Sequence, residues 1–234
     1  MLKQLESLLD TSVTVASGKT MVEDLADATV ADTDIIRPLE DPVSPGPSIA
    51  ILKGSLAPES AIVKLGIRDG SRPESFTGTA RVFENTADAM TAIEAGELQK
   101  GDVLVLRGQG LTGGPAMGGG ASFVLFAIDA AGLAKDTAFV TDGQLSGLCL
   151  KGLTVAEVAP EGAVGGPIGK VRDGDRIEID VAERRIDLVV AQDELATRDA
   201  VGTDYPVPAE GWLQIYRDRV QSMATGAVLI DLKR

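Results

Sequence analysis

The most informative segment of the 234-residue chain reads Phe139-Val140-Thr141-Asp142-Gly143-Gln144-Leu145-Ser146-Gly147. Its apolar start, together with Ala138, predicts a short buried strand. The strand runs into a loop in which Gly143 and Gly147 allow sharp turns, because glycine adopts backbone angles that other residues resist. The loop presents the hydroxyl of Ser146 at a strand end, where catalytic groups often lie. Ser146 is therefore our candidate catalytic residue, although loops of this kind also occur without any chemistry.

From Ser48 onward the sequence alternates short strand patterns with turn residues. The predicted strands are Ile49–Leu52, Ala61–Leu65, Gly78–Phe83, Val103–Leu106, Ala138–Thr141, Thr154–Val158, Asp175–Val181 and Arg185–Val190. The predicted helices are Thr86–Ala95 with Thr86 as N-cap, Ser122–Ala131, Gln192–Arg198 and Leu213–Met223. Trp212 and Tyr216 sit at helical spacing and are interpreted as packing anchors. Many short strands and few helices predict a mixed α/β domain with a barrel-like sheet.

The N-terminal part has a different character. Leucines at helical spacing predict an amphipathic helix over residues 2–10, and Thr20 with Glu23 has the form of a capping box, which predicts a second helix through Ala26. Four prolines then mark an extended linker. We therefore expect a helical lead and the start of the linker in residues 1–37, a proline-rich linker in residues 38–47, and the barrel-like domain in residues 48–234.

Charge and composition narrow the class of protein. The chain carries 35 acidic and 22 basic residues, a net charge of −13, which repels the phosphates of nucleic acid. No apolar run approaches the roughly 20 residues that span a bilayer, and the N-terminus lacks the pattern of a signal peptide. We expect a cytoplasmic protein without nucleic-acid or membrane partners, and its single cysteine, Cys149, agrees with a reducing compartment.

Glycine-rich loops are the candidate binding elements. Gly113-Gly114 and Gly118-Gly119-Gly120 precede a predicted helix, so their backbone N–H groups could hold a carboxylate or phosphate, or the loop could be only a flexible turn. The loop Thr141–Gly147, which carries Ser146, is called the serine loop below. Lys151 follows this loop and could stabilise an anion. The candidate substrate-binding residues are Gly114, Gly118, Gly119, Gly143, Gly147 and Lys151. Asp142 is interpreted as a turn former, since Asp-Gly is a common turn pair.

Several motifs resemble the C-terminal part of the dihydroxy-acid dehydratase and 6-phosphogluconate dehydratase family. Beside the serine loop, the segments that carry the resemblance are Asp34–Leu39, Leu52–Glu59, Gly78–Phe83, Gly113–Pro115, Val158–Gly162, Gly165–Ile168, Val171–Asp175 and Gly211–Leu213. They follow the family's order and spacing nearly from end to end. The resemblance implies the family's swivelling β/α barrel fold.

The resemblance also implies a reaction. The family removes water from a 2,3-dihydroxy carboxylic acid, a branched-chain precursor or a sugar acid, and yields a 2-keto acid. An iron-sulfur cluster acts as Lewis acid on the leaving hydroxyl, Mg²⁺ holds the substrate carboxylate, and the serine of the Thr-Asp-Gly-x-x-Ser-Gly loop is the base. By position that serine is Ser146.

Composition sets a limit on what this chain supplies. An iron-sulfur cluster needs at least three thiolate ligands, whereas the chain has one cysteine and no histidine. The family's glutamate after the Gly-Gly-Pro turn, which serves Mg²⁺, is also missing, because Met117 runs into three glycines. We expect no metal ligand and no cofactor bound by this chain alone. The resemblance implies that a cluster-bearing N-terminal domain or subunit is its partner, and that the chain alone is inactive.

Two other functions remain open. The chain could be a stand-alone module that binds a small carboxylic acid without converting it. It could also be a structural or regulatory subunit that associates through its N-terminal helix, whose apolar face lacks a partner within the predicted fold. That face predicts either self-association or disorder of the N-terminal region, and of the two we expect a homo-oligomer.

Overall fold

The computed structural model describes residues 1–44, 46–66, 73–116, 119–147, 151–203, 205–206 and 210–229. The chain forms two compact units, Met1–Gly46 and Pro47–Arg234. In the first unit, helix α1 spans Leu2–Leu5 and continues as a 3-10 turn over Glu6–Leu8, while helix α2 spans Met21–Asp24. The capping box is confirmed: Thr20 Oγ1 accepts from the N–H of Glu23, and the Glu23 carboxylate accepts from the N–H of Thr20. The first turn is therefore well specified, although α2 ends two residues earlier than predicted.

The second unit is built on one mixed sheet, to which the described residues contribute eight strands. The strands are β1 (Ile49–Leu52), β2 (Ser60–Lys64), β3 (Ser75–Phe83), β4 (Asp102–Leu106), β5 (Ala138–Thr141), β6 (Leu153–Ala159), β7 (Arg176–Asp180) and β8 (Arg185–Val189). Their order is β1-β2-β6-β5-β4-β3-β7-β8, and β3, β4, β5 and β6 run parallel to one another. The helical crossovers that parallel strands require are α3 (Thr86–Glu94) after β3 and α4 (Gly119–Ala130) after β4.

The two edges of the sheet meet. The N–H of Lys53, which follows β1, donates to the carbonyl of Arg184 at 3.0 Å, and the N–H of Ile186 in β8 donates to the carbonyl of Lys53 at 3.1 Å. The sheet is thereby nearly closed into a barrel, which protects its edge strands. The mixed α/β, barrel-like fold predicted from the sequence is confirmed.

Apolar side chains occupy two layers. One cluster fills the barrel interior, with Leu52, Val105, Val140 and Ile177 fully buried. The other lies between the outer face of the parallel strands and helices α3 and α4. Strands β4 and β5 are covered on both faces, so they read as continuous apolar runs.

Three sequence predictions need correction. Asn85, not Thr86, caps α3, because its side-chain oxygen accepts from the N–H of Asp88 at 2.9 Å. The C-terminal helix α6 covers only Trp212–Arg217, since the chain turns before the predicted end at Met223. Trp212 is 69% exposed, so it does not serve as a packing anchor within this chain.

The β7–β8 hairpin and helix α5 (Gln192–Thr197) lie where they were predicted. None of the described helices is long and apolar enough to cross a membrane.

Candidate active site

The carboxyl ends of the four parallel strands lie along one edge of the sheet, which is where open and closed α/β sheets usually place their ligands. The residues that follow these strands are polar: Glu84 after β3, Arg107 after β4, Asp142 after β5 and Glu161 after β6. The loops that carry them contain the Gly-Gly-Pro segment and the serine loop of the sequence analysis. This edge is therefore the candidate active site.

Asp142 joins three of these loops. Its side chain is buried, and its carboxylate accepts hydrogen bonds from the N–H groups of Gly108 at 3.1 Å, Gln109 at 2.8 Å and Gly162 at 2.9 Å. Burial raises the pKa of Asp142 to about 6, and the negative charge of Glu161 adds to the rise, while the three N–H donors oppose it. Asp142 is more than the turn former that we predicted, because it ties its own loop to the loops after β4 and β6.

Glu161 occupies the backbone cradle at the Gly-Gly-Pro segment. One carboxylate oxygen accepts from the N–H of Thr112 at 2.9 Å and from the N–H of Gly113 at 2.8 Å. A Cβ added to Gly110 would lie 2.4 Å from this carboxylate, so only glycine allows the approach. The loop does bind a carboxylate through its amides, as the sequence analysis considered, but at Thr112 and Gly113 the carboxylate is the chain's own.

Arg107 and Glu84 form an ion pair at the same edge. Arg107 is buried; its Nε and Nη2 donate to the Glu84 carboxylate, and its Nη1 donates to the carbonyls of Gly169 and Val171 at 2.9 and 2.7 Å. The guanidinium therefore has a fixed orientation and links the loop after β4 to the segment before β7.

Ser146 lies half-buried on the loop after β5. Its N–H donates to the hydroxyl of Ser122, in the first turn of α4, at 3.4 Å. Two residues earlier, the N–H of Gln144 donates to the carbonyl of Ala116 at 2.9 Å, which joins the serine loop to the end of the Gly-Gly-Pro segment. The structure thus brings the candidate base and the predicted binding loop together.

The predicted glycines have different structural roles. A Cβ on Gly114 would lie 2.3 Å from the carbonyl of Gly108, and a Cβ on Gly143 would lie 2.7 Å from Gln109, so both positions require glycine for close packing. A Cβ on Gly147 would meet no atom within 4 Å. Gly119 begins α4, whereas Gly118 lies outside the described residues, as does Cys149.

Lys151 lies toward the far end of α4 from Ser146. It is 66% exposed at the side chain and pairs with Asp129, in the last turn of that helix, at 3.7 Å. An exposed pair of this kind contributes little to stability. The ion pair of Lys151 is therefore with α4 and not with the serine loop.

A pocket of about 530 Å³ opens beside the Gly-Gly-Pro segment. Leu111–Ala116 form one wall, and Tyr205, Tyr216 and Arg217 contribute polar groups. The Nε of Arg217 donates to the carbonyl of Thr112, which holds the arginine against the loop. A mostly apolar pocket with a few polar groups is typical of small-molecule sites.

Some residues of the site carried no signal that the sequence analysis used. Lys64 in β2, Glu157 in β6 and Glu161 each approach the loops from strands or turns distant in sequence, and only Glu161 stood within a family motif. Among the described residues, no three His, Cys, Asp or Glu side chains are grouped so that they could hold a metal ion.

Comparison with known proteins places these loops within a shared region. The sequence profile described as dihydroxy-acid/6-phosphogluconate dehydratase C-terminal matches residues 34–227. A dihydroxy-acid dehydratase of Carboxydothermus hydrogenoformans is 41% identical over 228 residues, which are 96% of this chain and 40% of that protein. Dihydroxy-acid dehydratases of an Arthrobacter species and of Pyrococcus furiosus are 44% and 43% identical, over 94% and 90% of this chain and 38% of each relative. The chain spans about 40% of the length of the curated relatives it matches.

Proposed function

Because the chain belongs to the dihydroxy-acid/6-phosphogluconate dehydratase C-terminal family, we propose that it supplies the base of a hydro-lyase that dehydrates a 2,3-dihydroxy carboxylic acid. In this proposal Ser146 is the base. A branched-chain acid and a sugar acid are the two substrate classes to compare.

The observation that carries the proposal is the anchoring of the serine loop. Ser146 follows the buried strand β5, and its loop is bonded to the first turn of α4 through Ser122 and to the Gly-Gly-Pro segment through Ala116. A base must be held at a fixed position relative to the proton that it removes. Ser146, a half-buried residue on an anchored loop, meets this requirement better than a serine on an unanchored loop.

The chemistry assigned to this chain is proton removal. Ser146 Oγ, in its alkoxide form, takes the proton from carbon 2 of the substrate while the bond from carbon 3 to its hydroxyl breaks and hydroxide leaves. Transfer of the serine proton to that hydroxide forms water and restores the alkoxide. The resulting enol rearranges to the 2-keto acid. Because a serine hydroxyl is a weak base on its own, its anion needs electrostatic support at the site.

The residues of this chain do not fit the family's iron-sulfur cluster, because one cysteine and no histidine cannot ligate it. Among the described residues, no three His, Cys, Asp or Glu side chains are grouped as a metal site. We therefore assign assistance to the leaving hydroxyl to a cluster-bearing N-terminal domain or subunit. Residues 1–37 would belong with that partner and residues 38–47 would be the linker, while the exposed Leu2 and Leu8 support association through the N-terminal unit.

A second candidate function is binding of a small acid without conversion. The pocket of about 530 Å³ beside Gly113 and Gly114 favours it, because Arg217 supplies a positive charge there. A bound acid that remains unchanged in the presence of a cluster-bearing partner would support this function over dehydration.

The test is reconstitution. This chain would be combined with the cluster-bearing N-terminal part of the Carboxydothermus relative, and keto-acid formation measured with a branched-chain 2,3-dihydroxy acid and with a sugar acid. We expect turnover with one substrate class, and a loss of about 100-fold or more on Ser146→Ala, within the range for a missing general base. Ser75→Ala, at an exposed serine at the start of β3, is the control. Unchanged turnover by Ser146→Ala in a complex that is otherwise active would refute the assignment of the base.

A further inference from the structure

The serine loop has a charged neighbour, Lys64, on a strand that is distant in sequence. Lys64 is the last residue of β2 and is half-buried. Its Nζ donates a hydrogen bond to the carbonyl of Leu145, which is the peptide group directly before Ser146. The ammonium group is thus held one peptide away from the candidate base.

Glu157 completes this arrangement from β6. Its N–H donates to the carbonyl of Gly143 at 3.0 Å, its side chain is hydrogen-bonded with Gln144, and its charge interacts with that of Lys64. Glu157 has φ +54° at an irregular position of the β2–β6 ladder, a backbone conformation that is uncommon for a residue other than glycine. Strained positions of this kind often occur where a side chain is held in place for function.

Groups that contact the described part of the loop include Lys64 from β2, Glu157 from β6, the hydroxyl of Ser122 from α4 and the carbonyl of Ala116. Of these, only Lys64 and Glu157 carry charge. Partial burial raises the pKa of Glu157, whereas the positive charge of Lys64 lowers it. In this half-buried setting a charge acts more strongly on its neighbours than it would in water.

We propose that Lys64, set in place by the Leu145 carbonyl and Glu157, is a positioning residue that holds Ser146 and stabilises the anionic form of the residue-146 side chain. A fixed positive charge near an oxyanion or thiolate favours its ionised form. The catalytic meaning of this role rests on the proposed function, in which Ser146 is the base. The electrostatic coupling itself is a property of the 234-residue chain and needs no cofactor.

The test converts the serine into a reporter. In the full chain with Cys149→Ser, the variant Ser146→Cys places a single thiol at the site, and the pH dependence of its alkylation by iodoacetamide gives the thiol pKa. We expect Lys64→Met to raise that midpoint by about one pH unit or more, and Lys64→Arg to leave it within a few tenths of a unit. Lys100→Met, at a lysine whose side chain is 75% exposed and paired with Asp136, is the control and should cause no shift.

Glu157→Gln gives an independent result with little change in volume. Removing its negative charge should lower the thiol midpoint, opposite in direction to Lys64→Met. If Lys64→Met does not fold, Glu157→Gln still tests whether these charges change the pKa of the thiol at position 146. Equal midpoints in the parent, Lys64→Met and Glu157→Gln proteins would overturn the inference, and so would a shift in the same direction for both variants.

Different results would refute the proposed role of Ser146 as base and the proposed role of Lys64 as a positioning residue. If Lys64→Met shifts the thiol midpoint but Ser146→Ala remains fully active in the reconstituted dehydratase, the coupling stands and the proposed function fails. If Ser146→Ala abolishes turnover while the thiol midpoint ignores Lys64, the proposed function stands and the role of Lys64 fails. In the active complex, Lys64→Met should lower kcat more than it changes KM, and Lys64→Arg should restore most of the loss.

Discussion

Glu161 accepts a hydrogen bond of 2.8 Å from the backbone N–H of Gly113. This contact joins the turn after β6 to the Gly-Gly-Pro segment after β4. It also means that the amide of Gly113 already has an anionic partner within the chain. The position of the Gly-Gly-Pro segment in the candidate site therefore depends on the Glu161 carboxylate, which accepts hydrogen bonds from backbone N–H groups of that segment.

Removal of the Glu161 side chain should destabilise the fold. Glu161→Ala leaves the N–H groups of Thr112 and Gly113 without their acceptor, and we expect a loss of about 2 kcal/mol in the free energy of unfolding. Urea titration followed by circular dichroism measures the effect. Glu97→Ala, at an exposed glutamate, is the matched control, and an equal loss in both variants would contradict this role for Glu161.

Gly110 should be energetically coupled to Glu161. A methyl group at Gly110 would overlap the Glu161 carboxylate, whereas at Gly147 it would meet open space. We expect Gly110→Ala to destabilise the chain by more than Gly147→Ala, and to cost at least about 0.5 kcal/mol less when Glu161 is already alanine. A double-mutant cycle in urea checks this, and strict additivity would refute the overlap.

Asp142 should give the stability of the fold a distinct pH dependence. Its pKa rises from 3.8 to about 6 on folding, so the folded state binds the proton more tightly than the unfolded state. The contribution of this group is favourable at low pH and is lost as pH rises from about 4 through 6, by roughly 3 kcal/mol at most.

The measurement compares Asp142→Asn with the parent chain. Asp142→Asn should gain stability relative to the parent chain as the pH rises from 4 to 7, because the parent loses the contribution of the protonated Asp142 carboxyl and asparagine does not titrate. Asp27→Asn, at an exposed aspartate, should retain the pH dependence of the parent. Parallel pH profiles for Asp142→Asn and the parent would show that Asp142 does not titrate in this range.

The buried arginine should matter more than exposed ones. Arg107→Met removes the partner of Glu84 and the Arg107 donor to the carbonyls of Gly169 and Val171, and we expect a loss of about 3 kcal/mol. The Gly169 carbonyl keeps the N–H of Val201 as a donor. Arg176→Met breaks an exposed pair with Glu178 and should cost less than about 1 kcal/mol. Chemical denaturation distinguishes them, and similar losses would contradict the assignment.

Local sequence patterns predicted most of the secondary structure. The apolar run before Thr141 gave β5 its observed bounds, and the alternation around residues 182–184 predicted the β7–β8 hairpin. Closure of the sheet could not be predicted in the same way. It depends on the pairing of Lys53 with Arg184 and Ile186, which lie more than a hundred residues after Lys53 in the sequence. No local period reports such a contact.

The candidate site likewise combines features that local sequence patterns predict with features that depend on contacts between distant segments. The position of Ser146 on a glycine-flanked loop after a buried strand could be predicted, since the apolar run and the glycines are local signals. Lys64 and Glu157 could not, because one looks like a polar residue at a strand end and the other like an outward residue of a strand. Their role arises only where β2 and β6 lie side by side and an irregular register turns Glu157 toward the serine loop.

We have proposed that Ser146 removes a proton from carbon 2 of the substrate. The most direct measurement is the release of deuterium into water from a substrate labelled at carbon 2, using the complex of this chain with the cluster-bearing part of a relative. We expect steady release by the parent complex and none above background by the Ser146→Ala complex. Release at the parental rate by the Ser146→Ala complex would contradict the proposal.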